Sequence, residues 1–437
     1  MTSTAIDFPS VHRPSSATAA SGHLPRLFAP MSGPAHHHAS HLARFGPLPD
    51  GYHRLGHGLI EEVRRAGLLG RGGAAFPVAT KLDAVAGRRN GVVVVNATDG
   101  EPASRKDAVL ARVAPHLVID GAVLAAGAIG ALDVFVCVDR LDGDTLRSLQ
   151  AAAADRPSFE PPTRVLAAPA RYVVGEATAL ARWVGGGEAR PVFGVRPDQR
   201  GSWGRPTLVH NAETLAHLAL IARHGADWFR AMGTAAEPGS TLVTFVGDIE
   251  RPGVMEVAMG SDLRSLVDEA TPTARPTALL LGGYGGTWVH ATTAAELRWC
   301  DHSLRTAGAS AGAGVVAVLG THRCGLAETA GLARWFAGES AGQCGPCRFG
   351  LPAIADVLET LAAGRAQPGD VAQLHRWLAD VDRRGACAHP DLAVRLVRSA
   401  LTTFGEDIAS HLQGRPCAGA GLPPMLPVPD LGGEPWR

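Results

Sequence analysis

At 437 residues the chain is too long for one compact core, so two to four domains are expected. Its 41 basic residues balance 41 acidic ones, which argues against nucleic acid or an anionic membrane as the main partner. No run of about 18 uncharged apolar residues offers a direct membrane insertion, and seven unevenly spaced cysteines do not form a secreted disulfide framework, so a reducing, cytoplasmic compartment is expected.

Residues 1–48 are rich in Ser, Ala, Pro and His without sustained period, which predicts a disordered tail with His36, His37 and His38 as a solvated patch. Order is expected from Gly51, with Leu59, Ile60, Val63 and Ala66 on one face of a short helix ending at Gly67. The run LLGRGGAAFP at 68–77 then sets three glycines within four positions, with Lys81 following. Backbone amides in such a loop can approach an anion closely, and a phosphate is the natural occupant, although a tight turn asks for the same glycines.

Residues 92–96 read as a buried parallel strand that runs into Asn96, Thr98, Asp99 and Glu101. Polar residues at the carboxyl end of such a strand sit where α/β sheets bind ligands. A helix over 115–131 and a strand over 133–138 complete a βαβ unit, with Cys137 as core. Residues 172–180 pass from an apolar run through Gly175 and Glu176 into a helix, and residues 203–215 carry His210 and Asn211 into another. Asn211 suits either a ligand contact or a helix N-cap.

From 239 to about 289 the texture changes to short strands and turns, including a hairpin around Arg251, Pro252 and Gly253. After Gly325 the pattern is helical to about Leu412, in four segments that suffice for a bundle. Within it, ESAGQCGPCR at 339–348 places Cys344 and Cys347 three apart, and Cys387 follows 40 positions later. Thiolates at that spacing share one inorganic centre and a distant third closes the cage; buried thiols or half a structural zinc site are the plainer alternatives. Residues 414–437 read as a loose tail, with Cys417 an inert surface thiol.

Taken in this order, the motifs resemble one family: the flavoprotein, NADH-binding subunit of respiratory complex I and its relatives in bidirectional hydrogenases and formate dehydrogenases. The likeness spans roughly residues 51–413 and rests on LLGRGGAAFP with Lys81, NATDGEPASRKD (96–107), RYVVGEATAL (171–180), WGRPTLVHNAETL (203–215) and ESAGQCGPCR with Cys387. It implies an α/β, Rossmann-like FMN domain over 49–236, a small β-grasp (SLBB-like) module over 237–310 and an all-α, four-helix iron–sulfur bundle over 320–413. It also implies electron transfer from NADH through FMN to a [4Fe–4S] or [3Fe–4S] cluster and on to a ferredoxin or thioredoxin-like [2Fe–2S] partner. By resemblance Gly70, Arg71, Gly72, Gly73 and Lys81 would hold the FMN phosphate. Asn96, Thr98, Asp99, Tyr172, Gly175, Glu176, His210 and Asn211 would surround the flavin, Phe76 would wall the adenine slot, and Glu101 would act beside the nicotinamide. Cys344, Cys347 and Cys387 would hold the cluster.

The chain departs from the family pattern at named positions. Ala341 stands where the family has its first cysteine, Thr98 and Ala177 where acids are usual, and no second phenylalanine falls near Ala84. The family's lysine before the fourth motif is replaced by Val192 or Phe193. Main-chain flavin contacts survive such changes, whereas dinucleotide contacts through side chains do not. The same motifs therefore also fit a flavin and iron–sulfur carrier fed by a ferredoxin or partner dehydrogenase, or a non-catalytic scaffold subunit.

Overall fold

The structure is a computed structural model that describes residues 10–11, 24–28, 35–51, 56–158, 160–431 and 433–437. Residues 92–211 supply a parallel sheet of four strands, β2 (Val92–Ala97), β3 (Asp133–Asp139), β4 (Thr163–Ala168) and β5 (Thr207–Asn211), in the order β4-β3-β2-β5. The valines of β2 are all buried, as a strand covered on both faces requires. Covering comes from helix Pro115–Ile129, which opens on a proline and closes on Gly130 at φ 71, and which packs against helix Ala212–Arg230. The two helices meet so closely at Gly121 that a β-carbon there would stand 1.9 Å from the Leu215 carbonyl oxygen. β4 lacks a clear signal in the sequence because its burial alternates only weakly along an edge position.

A second, mixed sheet follows, in the order β1-β7-β6-β10-β8-β9. Its strands are β1 (Ser10–Val11), β6 (Ser240–Gly247), β7 (Gly253–Ala258), β8 (Pro276–Leu281), β9 (Thr287–His290) and β10 (Val315–Gly320). β6 and β7 form the expected hairpin. The expected end of this module at 310 is corrected by β10, which is wholly buried and lies between β6, parallel, and β8, antiparallel. The Ala- and Gly-rich stretch ahead of it hid the strand from a reading of local pattern.

Helices Gly325–Gly338, Leu351–Ala362, Pro368–Val381, His389–Thr403 and Gly405–Leu412 complete the chain. The last two replace one continuous expected helix. The break falls at Phe404, whose ring lies over Gly325, where a β-carbon would come within 2.1 Å of it. No single helix among the described residues is long and apolar enough to cross a membrane.

Both ends of the chain differ from the expected loose tails. Residues 38–45 form a helix, and Leu27, Phe28 and Phe45 join the core that holds Leu59 and Ile60. His41 bonds Asp120 at 2.7 Å, the His38 amide donates to Asp155, and the His36 carbonyl accepts from His116, so this histidine run docks a helix. The remainder of 1–48 lies outside the described residues. At the other end Leu426 is buried, the Tyr284 hydroxyl donates to Pro427, Arg171 donates to Leu431, and the Ala189 amide donates to the Trp436 carbonyl. Composition announced tails, but a few apolar and aromatic anchors suffice to dock such segments.

Candidate functional site

A cavity of about 260 Å³ opens beyond the carboxyl ends of β2 and β5, where the sheet leaves polar side chains without a following strand. Gly72, Asn96, Thr98, Asp99, Glu101, Lys106, Tyr172, Gly175, Glu176, Asn211, Cys387 and His389 line it. The glycine loop is closed on itself by Gly70 N–H to the Phe76 carbonyl at 2.9 Å and Val78 N–H to the Leu68 carbonyl at 3.0 Å. Gly72 faces the cavity, and a β-carbon there would lie 3.1 Å from Asn211 Cβ. Gly73, at φ 104, passes the Gly312 carbonyl in a backbone conformation that a residue with a β-carbon adopts only under strain.

Two loop cations point elsewhere. The Arg71 amide donates to Thr214 Oγ1 at 2.8 Å, and its guanidinium is buried against the Pro238 carbonyl at 3.2 Å, facing Glu213 and Glu237. Lys81 donates to the Val209 carbonyl at 2.7 Å, and burial lowers its pKa. Lys81 lines a separate cleft of about 200 Å³ with Phe76, Ala84, Ala177, Arg196 and Asp198. Each cation gives one hydrogen bond to a neighbouring carbonyl, and Arg71 Nε has no partner among the described residues. His210 is buried in β5 opposite Val95, and burial followed by the Lys81 charge keeps it neutral.

The charge at the cavity comes instead from Lys106, which contacts Asp107 and Glu213 at 2.9 Å each and donates to Asn211 Oδ1 at 3.3 Å. Burial opposes its charge, but Asp107 and Glu213 outweigh burial and raise its pKa. Glu213, despite burial, is held at about 2 by Lys106 and His217. Lys106 and Asp107 close the NATDGEPASRKD run, so the signal for them was present in the motif, although only its first half was read as site.

Around this charge the remaining residues are fixed by short local bonds. Asn96 donates to the Gly175 carbonyl at 2.9 Å and accepts from Thr98 Oγ1 at 2.8 Å. Asp99, at φ 41, accepts from the Ala108 amide at 2.8 Å, and burial followed by Asp107 pushes its carboxyl up to about 7. Burial pushes Glu101 up to about 8 even though the Tyr284 amide donates to it at 3.1 Å. Glu176 caps helix Ala177–Val184 by accepting from the Thr178 and Ala179 amides at 2.9 and 3.0 Å. Tyr172 packs edge-on against Trp335 and Phe336, with ring centroids 5.0 and 5.5 Å apart, joining the sheet to the helical region.

Cys344, Cys347 and Cys387 are free thiols beside this cavity, and Cys387 lines it directly. Burial and then Cys344 push the Cys347 thiol up to about 12, and burial raises Cys387. Thiols so raised need bound metal charge to deprotonate. The three sulfurs are not a group whose atoms all lie within 4.8 Å of one another, the only such group among the described residues being elsewhere. Ala341 is buried at the same loop. Glu339 is committed to the Tyr172 amide at 3.0 Å and Arg171 at 3.4 Å, and His389 donates from Nε2 to the Phe336 carbonyl at 2.8 Å. Ser340 is the hydroxyl that reaches Cys347.

Two family models match the chain: the Nuo51 FMN-binding domain over residues 63–220, and the NADH-ubiquinone oxidoreductase-F iron–sulfur binding region over residues 320–411. The second F-type NADH-quinone oxidoreductase subunit of Rhizobium meliloti (strain 1021) is 30% identical over 378 residues, 82% of this chain and 90% of that protein. The F-type subunit of Mycobacterium bovis (strain ATCC BAA-935 / AF2122/97) is 31% identical over 383 residues, 82% of this chain and 85% of that protein. Among solved structures, NAD+-reducing [NiFe]-hydrogenase in the H2-reduced state superposes with a TM-score of 0.78 at 31% identity, covering 86% of this chain and 67% of that one. The first and last of the sequence motifs fall inside the two matched regions, the glycine loop in one and the three cysteines in the other, and the chain belongs to the family of F-type NADH-quinone oxidoreductase subunits.

Proposed function

We infer that this chain is an NADH dehydrogenase-like oxidoreductase that carries electrons from NADH, by way of FMN over Gly72, to an iron–sulfur cluster on Cys344, Cys347 and Cys387. The observation that carries this reading is the shared cavity wall: Gly72 and Asn96 on one side, Cys387 and His389 on the other. When bound, the flavin supplies two-electron acceptance with one-electron release, and the cluster supplies one-electron storage.

The residues present suit both groups. Gly72 leaves its main chain bare where a side chain would strike Asn211. Asn211 and the ion-paired Lys106 present a polar edge with hydrogen-bond donors to a ligand that carries phosphate. Glu101, with its carboxyl near 8, holds its proton at neutral pH and so offers the cavity a donor without a charge. Gly70, Gly73, Thr98, Asp99, Tyr172, Gly175 and Glu176 shape the same wall or the loop behind it, and Phe76 with Lys81 borders the cleft assigned to the dinucleotide. In this reading residues 240–320 form the β-grasp module of SLBB type, helices from 325 to 412 form the iron–sulfur bundle, and a ferredoxin or thioredoxin-like [2Fe–2S] protein takes the electrons in the cytoplasm.

Ala84 and Ala177 in the Phe76 cleft favour a second reading, in which another donor feeds the same flavin. Anaerobic protein reconstituted with FMN and iron separates the two. Bleaching of the flavin by NADH supports the first; a flavin reduced by dithionite or reduced ferredoxin but not by NADH overturns it.

A further inference from the structure

At the opposite end of helix Gly325–Gly338 from the cluster cysteines, three further ligand-type side chains converge. Cys324, His411 and Cys417 bring Sγ, Nε2 and Sγ within 4.8 Å of one another. The Cys324 sulfur is 3.7 Å and the Cys417 sulfur 3.2 Å from His411 Nε2. A tetrahedral zinc ion with Zn–S about 2.3 Å and Zn–N about 2.0–2.1 Å separates its ligand atoms by about 3.6 Å, so this triangle is already of the right size. The helix between the two cysteine groups is 14 residues long, about 21 Å at 1.5 Å per residue, which makes this a separate site.

Each ligand is set up by its own surroundings. His411 is fully buried and bonds the Leu361 carbonyl through Nδ1 at 3.0 Å, which places the proton on Nδ1 and leaves Nε2 as a lone pair aimed at both sulfurs. That lone pair accepts from the Cys417 amide at 2.9 Å, a bond that an ion at the centre of the triangle replaces. Cys324 is the N-cap of its helix, so its position is fixed by the start of that element. Asp407 lies one turn before His411 on helix Gly405–Leu412 and interacts with Cys417, so a carboxylate is near the triangle although outside its 4.8 Å group.

We propose that Cys324, His411 and Cys417 form a structural zinc site, completed by Asp407 or water, that pins the carboxyl-terminal segment to the helical region. The ligands come from the start of one helix, the end of another and the segment after Gly414. A metal here fastens the segment that goes on to Pro427, Leu431 and Trp436. Trp436 lies under the guanidinium groups of Arg171 and Arg190, 4.5 and 4.7 Å from its ring centre, and Arg190 in turn donates to the Ala341 carbonyl at 3.4 Å. The staple at one end of the helix thereby steadies a strap that reaches the cluster loop at the other.

The test measures zinc, iron and flavin per chain in the full-length protein produced with Zn2+ in the medium, for the native chain and for Cys417→Ala and Cys324→Ser. The expected result is about one zinc per chain whose X-ray absorption shows two sulfurs at about 2.3 Å and nitrogen or oxygen for the rest. In both variants zinc falls at least about ten-fold while iron and flavin stay, and hydrogen exchange over 418–437 accelerates. Zinc absent from the native chain, zinc unchanged in both variants, iron lost with Cys417→Ala, or a Cys324–Cys417 disulfide found by mass spectrometry would each overturn the proposal. Flavin content reports folding of the variants, and the absorption measurement on the native chain needs no variant at all.

Discussion

The two cysteine groups at the ends of helix Gly325–Gly338 use the same atoms for different work. At one end Cys344 and Cys347 share a loop with Cys387 brought in from another segment, and Cys387 lines a cavity that also holds Gly72 and Glu101. At the other, Cys324, His411 and Cys417 close to within 4.8 Å and border buried apolar packing that includes Phe404 and Leu426. A place beside a polar cavity suits a cluster that must exchange electrons with a neighbour. Tight spacing in dry packing suits a single ion that exchanges nothing. Ligand type alone does not separate redox from structural metal sites; what the site faces does.

Cys347→Ala gives the largest effect expected from this contrast: iron should fall to background while zinc is retained, as metal analysis of the purified protein will read. Iron retained in full would move the cluster away from 344–387. Gly72→Val should follow closely, with flavin content lowered at least about ten-fold, because the added carbons meet Asn211 Cβ at 3.1 Å or less. Undiminished flavin would detach the glycine loop from the cavity's function.

Lys106→Met should cost about 3–5 kcal/mol of stability, since it leaves Glu213 and Asp107 buried without their cation. Denaturant unfolding of the flavin-free protein checks this, and a loss under about 1 kcal/mol would mean that the network is wet. Ala341→Cys offers a subtler sharpening of the cluster half. It supplies a fourth thiol at a buried position in the loop and should convert a three-iron paramagnetic signal into a four-iron one. An unaltered signal would show that Ser340 or solvent already completes the iron.

A further effect concerns pH. Burial raises the Glu101 carboxyl from 4.5 to about 8, so the folded state keeps a proton that the unfolded chain gives up above 4.5. The stability associated with that proton is fully present below pH 4.5 and declines as pH rises to about 8. Glu101→Gln, which retains an acceptor for the Tyr284 amide, should flatten that part of the pH–stability curve. An unchanged slope would mean that Glu101 is ionised in the fold.

Much of this protein was legible as local pattern. Three glycines in four positions, a run of valines ending in Asn96, and Cys344 three residues before Cys347 each mark a local feature, a loop, a buried strand and a thiol pair, within about ten residues. Fold order followed from the same local signals, because helices and central strands advertise their period. β10 was lost because a Gly- and Ala-rich stretch runs into it, and its six buried residues become a strand only between β6 and β8. Arg71 and Lys81 were placed at the phosphate because cations beside glycines commonly go there. Their actual direction was set by the Pro238 and Val209 carbonyls, which lie 167 and 128 residues away in the chain.

Helix, buried strand and glycine loop could therefore be read from the amino-acid order, as could the grouping of Cys344 with Cys347. Those properties depend on side chains close enough in the chain to share one turn or one strand. Packing of whole elements was needed to bring Cys324 to His411 across 87 residues, to draw Cys417 in from the surface, and to lay Trp436 against Arg190 beside Ala341. Such meetings depend on how helices and sheets fit against one another, and no local period tells where a packed helix will bring its ends.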